Sequence, residues 1–181
     1  KTRNLRSSRM ALVIFFTSIL GLFSSTNLKA ATVTSTTTGG AWTTAATWQG
    51  GSVPASGDDV VIVGPVTVGS VTQTGSVTIN SGGTLTISSG TSIITLGPLT
   101  INSGGTLTTS RRLTVNGATV IYGTINMQST ARAHVFNGDI TLYSGAVWNS
   151  SVANTPTITG SLINNATTFT AGSGAYTFNK A

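Results

Sequence analysis

Hydrophobic and polar residues alternate along most of the chain after residue 30. In the segment 77–87, which reads VTINSGGTLTI, the apolar positions are Val77, Ile79, Leu85 and Ile87. Alternation with a period of two is typical of strands that are buried on one face. The Asn-Ser-Gly-Gly block in the middle supplies residues that tolerate the positive φ angles of a tight corner. The pattern therefore predicts a strand, a corner and a second strand.

The same pattern returns later in the chain. LTINSGGTLT at 99–108 nearly repeats VTINSGGTLT at 77–86, with an offset of 22 residues (99 − 77), and weaker copies lie at 113–120, 140–148 and 162–178. Repeats of this length built from strands are typical of stacked coils, each of which buries its apolar face against its neighbours. A sandwich of hairpins would use the same local signals, but the regular offset favours stacking. We predict an all-β fold, a right-handed parallel β-helix (β-solenoid).

The start of the chain has a different composition. Residues 1–9 are basic, residues 10–23 are apolar, and residues 24–30 are small and polar. This order is typical of a secretory signal peptide, and the apolar run is shorter than the roughly 20 residues that span a bilayer as a helix. We predict a signal peptide at 1–30 and a secreted or cell-surface protein with no membrane segment after cleavage. An uncleaved signal anchor is the alternative.

Behind the signal peptide we predict two regions. Residues 31–65 would form an N-terminal cap and the first strands, and residues 66–181 would form the solenoid coils. The final residues, 175–179, still alternate as a strand, and no polar cap follows them. Because a solenoid needs a capped end, we expect the chain to be part of a longer protein and the coil from about Leu162 to be the least protected.

The net charge of +6 comes almost entirely from the signal region. Five basic residues there supply +5: Lys1, Arg3, Arg6, Arg9 and Lys29. The rest of the chain carries +1 and has no clustered basic face, which argues against nucleic-acid binding. The chain has no cysteine, which excludes disulfides, thiolate metal sites and thiol nucleophiles.

Few residues are suited to catalysis or metal binding. Asp58 and Asp59 are adjacent, so in a strand they point to opposite faces, and we expect one of them to bond backbone N–H groups where a turn leads into a strand. Asp139 is the only other acid. The single histidine, His134, is predicted to lie at the surface or at a corner. The Arg111–Arg112 pair could bind an anionic polysaccharide, although such a pair is usually only solvated. We predict no catalytic residue, no metal and no cofactor.

Aromatic residues are the remaining candidates for a binding site. Trp42 and Trp48 are six residues apart, which places them on one face of an extended segment. Our main interpretation is that they cap the first coil. The alternative is a platform on which a sugar ring stacks, with Trp148 and Tyr143 as a second candidate pair.

The segment around these tryptophans resembles a known group of proteins. Residues 41–54 read AWTTAATWQGGSVP and residues 57–62 read GDDVVI. This string resembles the opening of the eight-glycine type domains and related N-terminal modules of large secreted β-helix proteins of Bacteroidetes-like bacteria, many of which are type IX-secreted adhesins. The resemblance covers about residues 39–120. It implies a bacterial surface protein: an adhesin, a matrix component or a polysaccharide-acting enzyme.

Three functional hypotheses follow from these observations. The first is a non-catalytic exported β-solenoid module of a cell-surface adhesin or matrix protein, with surface glycans or other surface proteins as partners. The second is the scaffold or glycan-binding groove of a polysaccharide-acting enzyme. The third is an ice-binding threonine face, because Thr84 and Thr86 repeat as Thr106 and Thr108 on the outward side of the predicted strands.

Overall fold

The computed structural model describes residues 30–69, 71–73, 75–88, 94–128, 132–150 and 153–180. The predicted signal peptide lies outside these residues, apart from Ala30. No helix within the described ranges is long and apolar enough to cross a membrane.

Nearly all regular structure in the described residues consists of short strands. In chain order they are Thr32–Thr34 (β1), Gly40–Ala41 (β2), Asp59–Ile62 (β3), Pro65–Val68 (β4), Thr72–Gln73 (β5), Val77–Ile79 (β6), Thr84–Ile87 (β7), Ile94–Leu96 (β8), Leu99–Ile101 (β9), Thr106–Thr109 (β10), Leu113–Asn116 (β11), Thr119–Ile121 (β12), Thr124–Met127 (β13), Val135–Asn137 (β14), Ile140–Leu142 (β15), Val147–Asn149 (β16), Thr157–Ile158 (β17), Leu162–Asn164 (β18), Thr168–Thr170 (β19) and Thr177–Phe178 (β20). Two 3₁₀ turns, Ala45–Thr47 and Gln49–Gly51, lie between β2 and β3.

The strands form three parallel sheets. The first sheet has seven strands in the order β1-β3-β6-β9-β12-β15-β18, and the second has seven in the order β2-β4-β7-β10-β13-β16-β19. The third has six strands in the order β5-β8-β11-β14-β17-β20. Each coil from β3 onward thus gives one strand to each sheet, the N-terminal coil gives β1 and β2 to the first two sheets, and every strand pairs with its equivalents in the adjacent coils. The predicted parallel β-solenoid is confirmed, and the hairpin sandwich is excluded.

The core is a set of ladders in which one inward residue from each coil lies on the next. In the first sheet one ladder consists of Val60, Val77, Leu99, Thr119 and Ile140. In the second sheet the equivalent ladder is Val66, Leu85, Leu107, Ile125 and Trp148. These side chains are buried, so the alternation read from the sequence separates core from surface as predicted.

The sheets continue across the predicted boundary between cap and coils. Strand β1 pairs with β3 in the first sheet, and β2 pairs with β4 in the second. The region 31–65 therefore extends the same sheets toward the N-terminal end. At the other end, the last described coil exposes Ile163 and Phe178, with 51% and 55% of their surface accessible.

The Asn-Ser-Gly-Gly corner needs its two glycines for different reasons. Gly82 has a φ of 80°, and a Cβ there would meet no atom within 4 Å. A Cβ on Gly83 would lie 2.3 Å from the carbonyl oxygen of Ile62 in the preceding coil. The second glycine thus allows the corner to lie directly on the backbone of the coil before it.

Alanine substitutions should separate these two requirements. Gly82→Ala should cost about 1 to 2 kcal/mol, because it forces a side chain into the left-handed region. Gly83→Ala should cost more than Gly82→Ala, because two coils must move apart to admit the methyl group. Urea unfolding of the two variants measures the difference. Equal losses would show that contact between coils does not restrict the corner.

Candidate functional site

The first tryptophan pair lies in the core at the N-terminal end of the second sheet. Trp42 and Trp48 are 3% and 2% exposed. Their ring centroids are 5.0 Å apart in an edge-to-face arrangement, and the Trp48 Nε1–H donates a hydrogen bond of 2.7 Å to the Trp42 carbonyl. The Trp42 N–H donates in turn to the carbonyl of Thr67 in β4. This geometry favours the cap interpretation.

Trp148 is also buried, with none of its surface exposed. Its ring lies 5.5 Å from Phe136 and 5.8 Å from Phe169 between centroids, and its Nε1–H donates a hydrogen bond of 2.9 Å to the Tyr176 hydroxyl. A sugar ring needs an accessible aromatic face. Burial therefore removes Trp42, Trp48 and Trp148 from the candidate stacking residues, and this correction follows from their inward positions in the coils.

Tyr143 is the one sequence-predicted stacking residue that lies at the surface, with 40% of its area exposed. Its ring stacks on Tyr122 of the previous coil, with centroids 4.3 Å apart and planes 14° apart. One face of Tyr143 is therefore covered by Tyr122. Tyr122 is not among the sequence-predicted candidates, although Tyr122 and Tyr143 directly follow the paired residues Ile121 and Leu142.

Adjacent coils contain an asparagine ladder at the same corner. Asn80 and Asn102 follow the paired residues Ile79 and Ile101, and the Asn102 amide donates a hydrogen bond of 2.7 Å to the Asn80 side-chain oxygen. At this corner, two coils therefore carry hydrogen-bonded asparagines, and the next two coils along the solenoid axis carry stacked tyrosines. Tyr122 and Tyr143 are 37% and 40% exposed, and the ring faces that they turn toward each other are closed to a sugar.

The two adjacent acids hold turns and neighbouring coils together. Asp58 accepts hydrogen bonds from the N–H groups of Ala55, at 2.8 Å, and Ala31, at 3.0 Å. This confirms the expected turn leading into a strand. Asp59 accepts hydrogen bonds from the hydroxyl of Ser76, at 2.6 Å, and from its N–H, at 2.9 Å. The bond from the hydroxyl, followed by that from the N–H, lowers the pKa of Asp59.

The third acid and the arginine pair also lie at corners. Asp139 accepts a hydrogen bond of 2.7 Å from the N–H of Ser161 in the next coil. The backbone of Arg111 closes a small turn in which the Thr109 hydroxyl donates to its carbonyl, at 2.8 Å, and accepts from its N–H, at 3.1 Å. The side chain of Arg112 is exposed. A role for this pair in binding an anionic polysaccharide stays a prediction.

His134 is buried, so its predicted position at the surface or a corner is wrong. Val135 pairs with Thr114, which places His134 opposite Leu113 at an inward position. Its Nδ1 accepts a hydrogen bond of 3.2 Å from the Leu113 N–H, and its Nε2 has no partner among the described residues. Burial lowers the pKa of His134 to about 4; the side chain of Asn154 acts against this shift, and the positive charge of Arg112 adds a smaller effect in the same direction as burial.

The outward face of the second sheet extends the threonine pairs seen in the sequence. Strands β4, β7, β10, β13, β16 and β19 each present two outward residues, and direct pairing aligns these residues in two columns. The first column is Pro65, Thr84, Thr106, Thr124, Val147 and Thr168, and the second is Thr67, Thr86, Thr108, Asn126, Asn149 and Thr170. We call these side chains the threonine face.

The hydroxyl groups of the threonine face are available to solvent. Within the described part of the chain, none of its threonine hydroxyls forms a hydrogen bond with another protein group. The two asparagines are linked by a hydrogen bond of 3.3 Å from the Asn149 amide to the Asn126 oxygen. The face therefore offers ordered hydroxyls and methyl groups that the protein itself does not use.

Known proteins give no direct guide to the function. Among the described residues, no group of three or more His, Cys, Asp or Glu side chains is placed to hold a metal ion. Comparisons with protein families, curated proteins and solved structures find no match for this chain.

Proposed function

We propose that the chain is a non-catalytic β-solenoid module of an exported adhesin or matrix protein at a bacterial cell surface. The observation that carries this proposal is the use of the acidic side chains. The chain has three acidic residues, and each of them accepts a hydrogen bond from the backbone N–H of another segment. The groups that could act as acids or bases are thus committed to holding turns and coils together.

The single histidine has a comparable structural role. Its Nδ1 accepts the Leu113 N–H inside the core, and the lowered pKa keeps the imidazole neutral near pH 7. A general acid or base must reach a substrate, and His134 has no exposed surface. Its position therefore supports a structural module over an enzyme.

The regular exterior fits a module that supports or binds surfaces. Parallel sheets with continuous inward ladders make a stiff stack, because each coil is hydrogen-bonded to the next along three faces. Equivalent outward positions repeat from coil to coil. Such a surface suits many weak contacts made at once, as in adhesion or matrix assembly. The proposed location rests on the signal-like residues 1–30 and on the resemblance carried by residues 41–62.

Export can be tested by expressing two forms of the chain in a Gram-negative host. The first is the full chain and the second lacks residues 1–30, each with the same C-terminal epitope. We expect only the full chain to leave the cytoplasm and to lose the segment before about Ala31, as mass spectrometry of the exported protein would show. Cytoplasmic retention of the full chain would contradict the proposed location.

The non-catalytic role requires a separate experiment. The purified chain should be tested on a glycan array and in hydrolysis and lyase assays on neutral and anionic polysaccharides. We expect no turnover of any polysaccharide. Turnover that remains after repeated purification would contradict the proposal and favour a polysaccharide-acting enzyme.

A further inference from the structure

Eight of the twelve positions of the threonine face are threonine, and these side chains repeat along the strands and from strand to strand. Directly paired residues of neighbouring strands lie about 4.8 Å apart, and alternate residues on one strand lie roughly 6.6 Å apart. Six strands with two outward residues each therefore form a grid about 24 Å long, from five spacings between strands. In the first sheet, each of the strands β6, β9, β12 and β15 presents one outward residue, and these form a single column that includes Thr78, Thr100 and Thr141.

This grid is held in place before any ligand binds. Threonine is branched at Cβ, which restricts its χ1 rotamers, and the strands are fixed in register by the buried residues between the outward ones. Leu85 and Leu107, which lie between the outward threonines of β7 and β10, have no exposed surface. Binding of a ligand therefore costs little conformational entropy of the threonine side chains.

The chemistry of the grid restricts the ligand. The threonine face has no charged side chain, so it offers no counter-charge to an anionic or cationic polymer. It has no aromatic ring, so it lacks a stacking surface for sugar rings. Its threonines present hydroxyls with no protein partner beside methyl groups at regular intervals. A flat, uncharged and periodic ligand that both donates and accepts hydrogen bonds matches this surface.

We propose that the threonine face binds ice. The surface layer of an ice crystal is a periodic lattice of water molecules, which can donate to and accept from the hydroxyl grid while the methyl groups fill the spaces between them. Each contact is weak, but the grid makes many of them together. This inference does not depend on whether the chain belongs to an adhesin or a matrix protein.

Two lysine substitutions in one coil provide the test. Thr108→Lys places a long, hydrated ammonium group in the middle of the threonine face. Thr100→Lys places the same group on the outward side of the first sheet. Both residues are half-buried, and each pairs with outward residues of two neighbouring strands. The two variants thus have the same added charge and a comparable position in the solenoid.

The purified full chain and both variants should be compared by partitioning into a slowly grown ice hemisphere and by inhibition of ice recrystallisation. We expect the wild-type chain and Thr100→Lys to enter the ice and to inhibit recrystallisation. Thr108→Lys should need about tenfold more protein for the same inhibition, which corresponds to about 1.4 kcal/mol of lost binding free energy. Thermal unfolding of both variants shows whether they remain folded.

Three results would overturn the proposal. One is a wild-type chain that is excluded from ice and does not inhibit recrystallisation. Another is equal activity in the two folded variants, which would assign binding to a different surface. The third is retention of the wild-type chain on microcrystalline cellulose or chitin without any effect on ice, which would identify a crystalline polysaccharide as the ligand. None of these results affects the export or turnover experiments.

Discussion

Trp48→Ala is expected to lower the free energy of unfolding by about 3 to 5 kcal/mol, the usual cost of truncating a large buried aromatic residue. Trp48 is 2% exposed, packs edge-to-face on Trp42 and donates its indole N–H to the Trp42 carbonyl. The alanine variant loses this packing and leaves that carbonyl without its donor. The N-terminal end of the core would then be partly open to water.

Two further variants make this prediction specific. Trp48→Phe keeps most of the apolar ring but lacks the N–H, so it should lose less stability than Trp48→Ala. Val53→Ala truncates a residue of the same segment that is 40% exposed, and it should change stability by less than about 0.5 kcal/mol. Circular dichroism during urea unfolding measures all three. Unchanged stability of Trp48→Ala would contradict the assignment of Trp48 to the cap.

The second large effect is a loss of stability in mild acid caused by His134. The pKa of its buried imidazole is about 4, whereas the pKa of histidine in an unfolded chain is about 6.5. Between these values the unfolded chain binds a proton that the folded chain does not. The stabilising contribution is therefore complete above pH 6.5 and declines as the pH falls toward 4. Proton linkage gives a loss of about 2 kcal/mol at pH 5.

His134→Asn provides the control for this pH dependence. Asparagine does not titrate, and its side-chain oxygen can accept the Leu113 N–H in place of Nδ1. We expect the variant to be less stable than the wild-type chain at pH 7.5, and its stability to change much less between pH 7.5 and pH 5. This range lies above the pKa of Asp59, which is lowered from its ordinary value. A wild-type chain that is equally stable at both pH values would contradict a buried, neutral His134.

The coils could be predicted because one repeat unit contains both the alternation of a strand and the glycine pair of a corner. Alternation marks inward and outward positions, and the Gly pair marks the corner where one coil lies on another. The two closest copies, at 77–86 and 99–108, pair residue for residue in the structure. The offset between them therefore gave the correct register.

The errors arose where the repeat is weaker and the inward residue is not aliphatic. Aligning LTVNG at 113–117 with HVFNG at 134–138 would have placed His134 opposite Leu113. Composition alone suggests that a histidine lies near the surface, whereas its place in the coil puts it in the core. The same holds for Trp148, which occupies the ladder position of Leu107 and Ile125.

The full extent of the threonine face could not be predicted from the local sequence pattern. Only the two strands with identical TLT sequences could be matched by eye, namely β7 and β10. Of the remaining rows, β4 and β13 have proline or asparagine at one of the two outward positions, and β16 has valine and asparagine in place of both threonines. Strand β19 again has two threonines, and only backbone pairing shows that these rows continue the same columns. An assignment of binding to this surface therefore depends on the register of the coils.

That register can be measured directly, because the chain has no cysteine of its own. Thr86→Cys with Thr108→Cys places two thiols on directly paired residues, about 4.8 Å apart between adjacent strands. Thr86→Cys with Thr100→Cys places them on two different sheets. At low protein concentration, dibromobimane becomes fluorescent when it bridges two thiols of one molecule. We predict rapid bridging in the first variant and little in the second; equal bridging in both, or bridging only in the second, would contradict a solenoid stacked in this register.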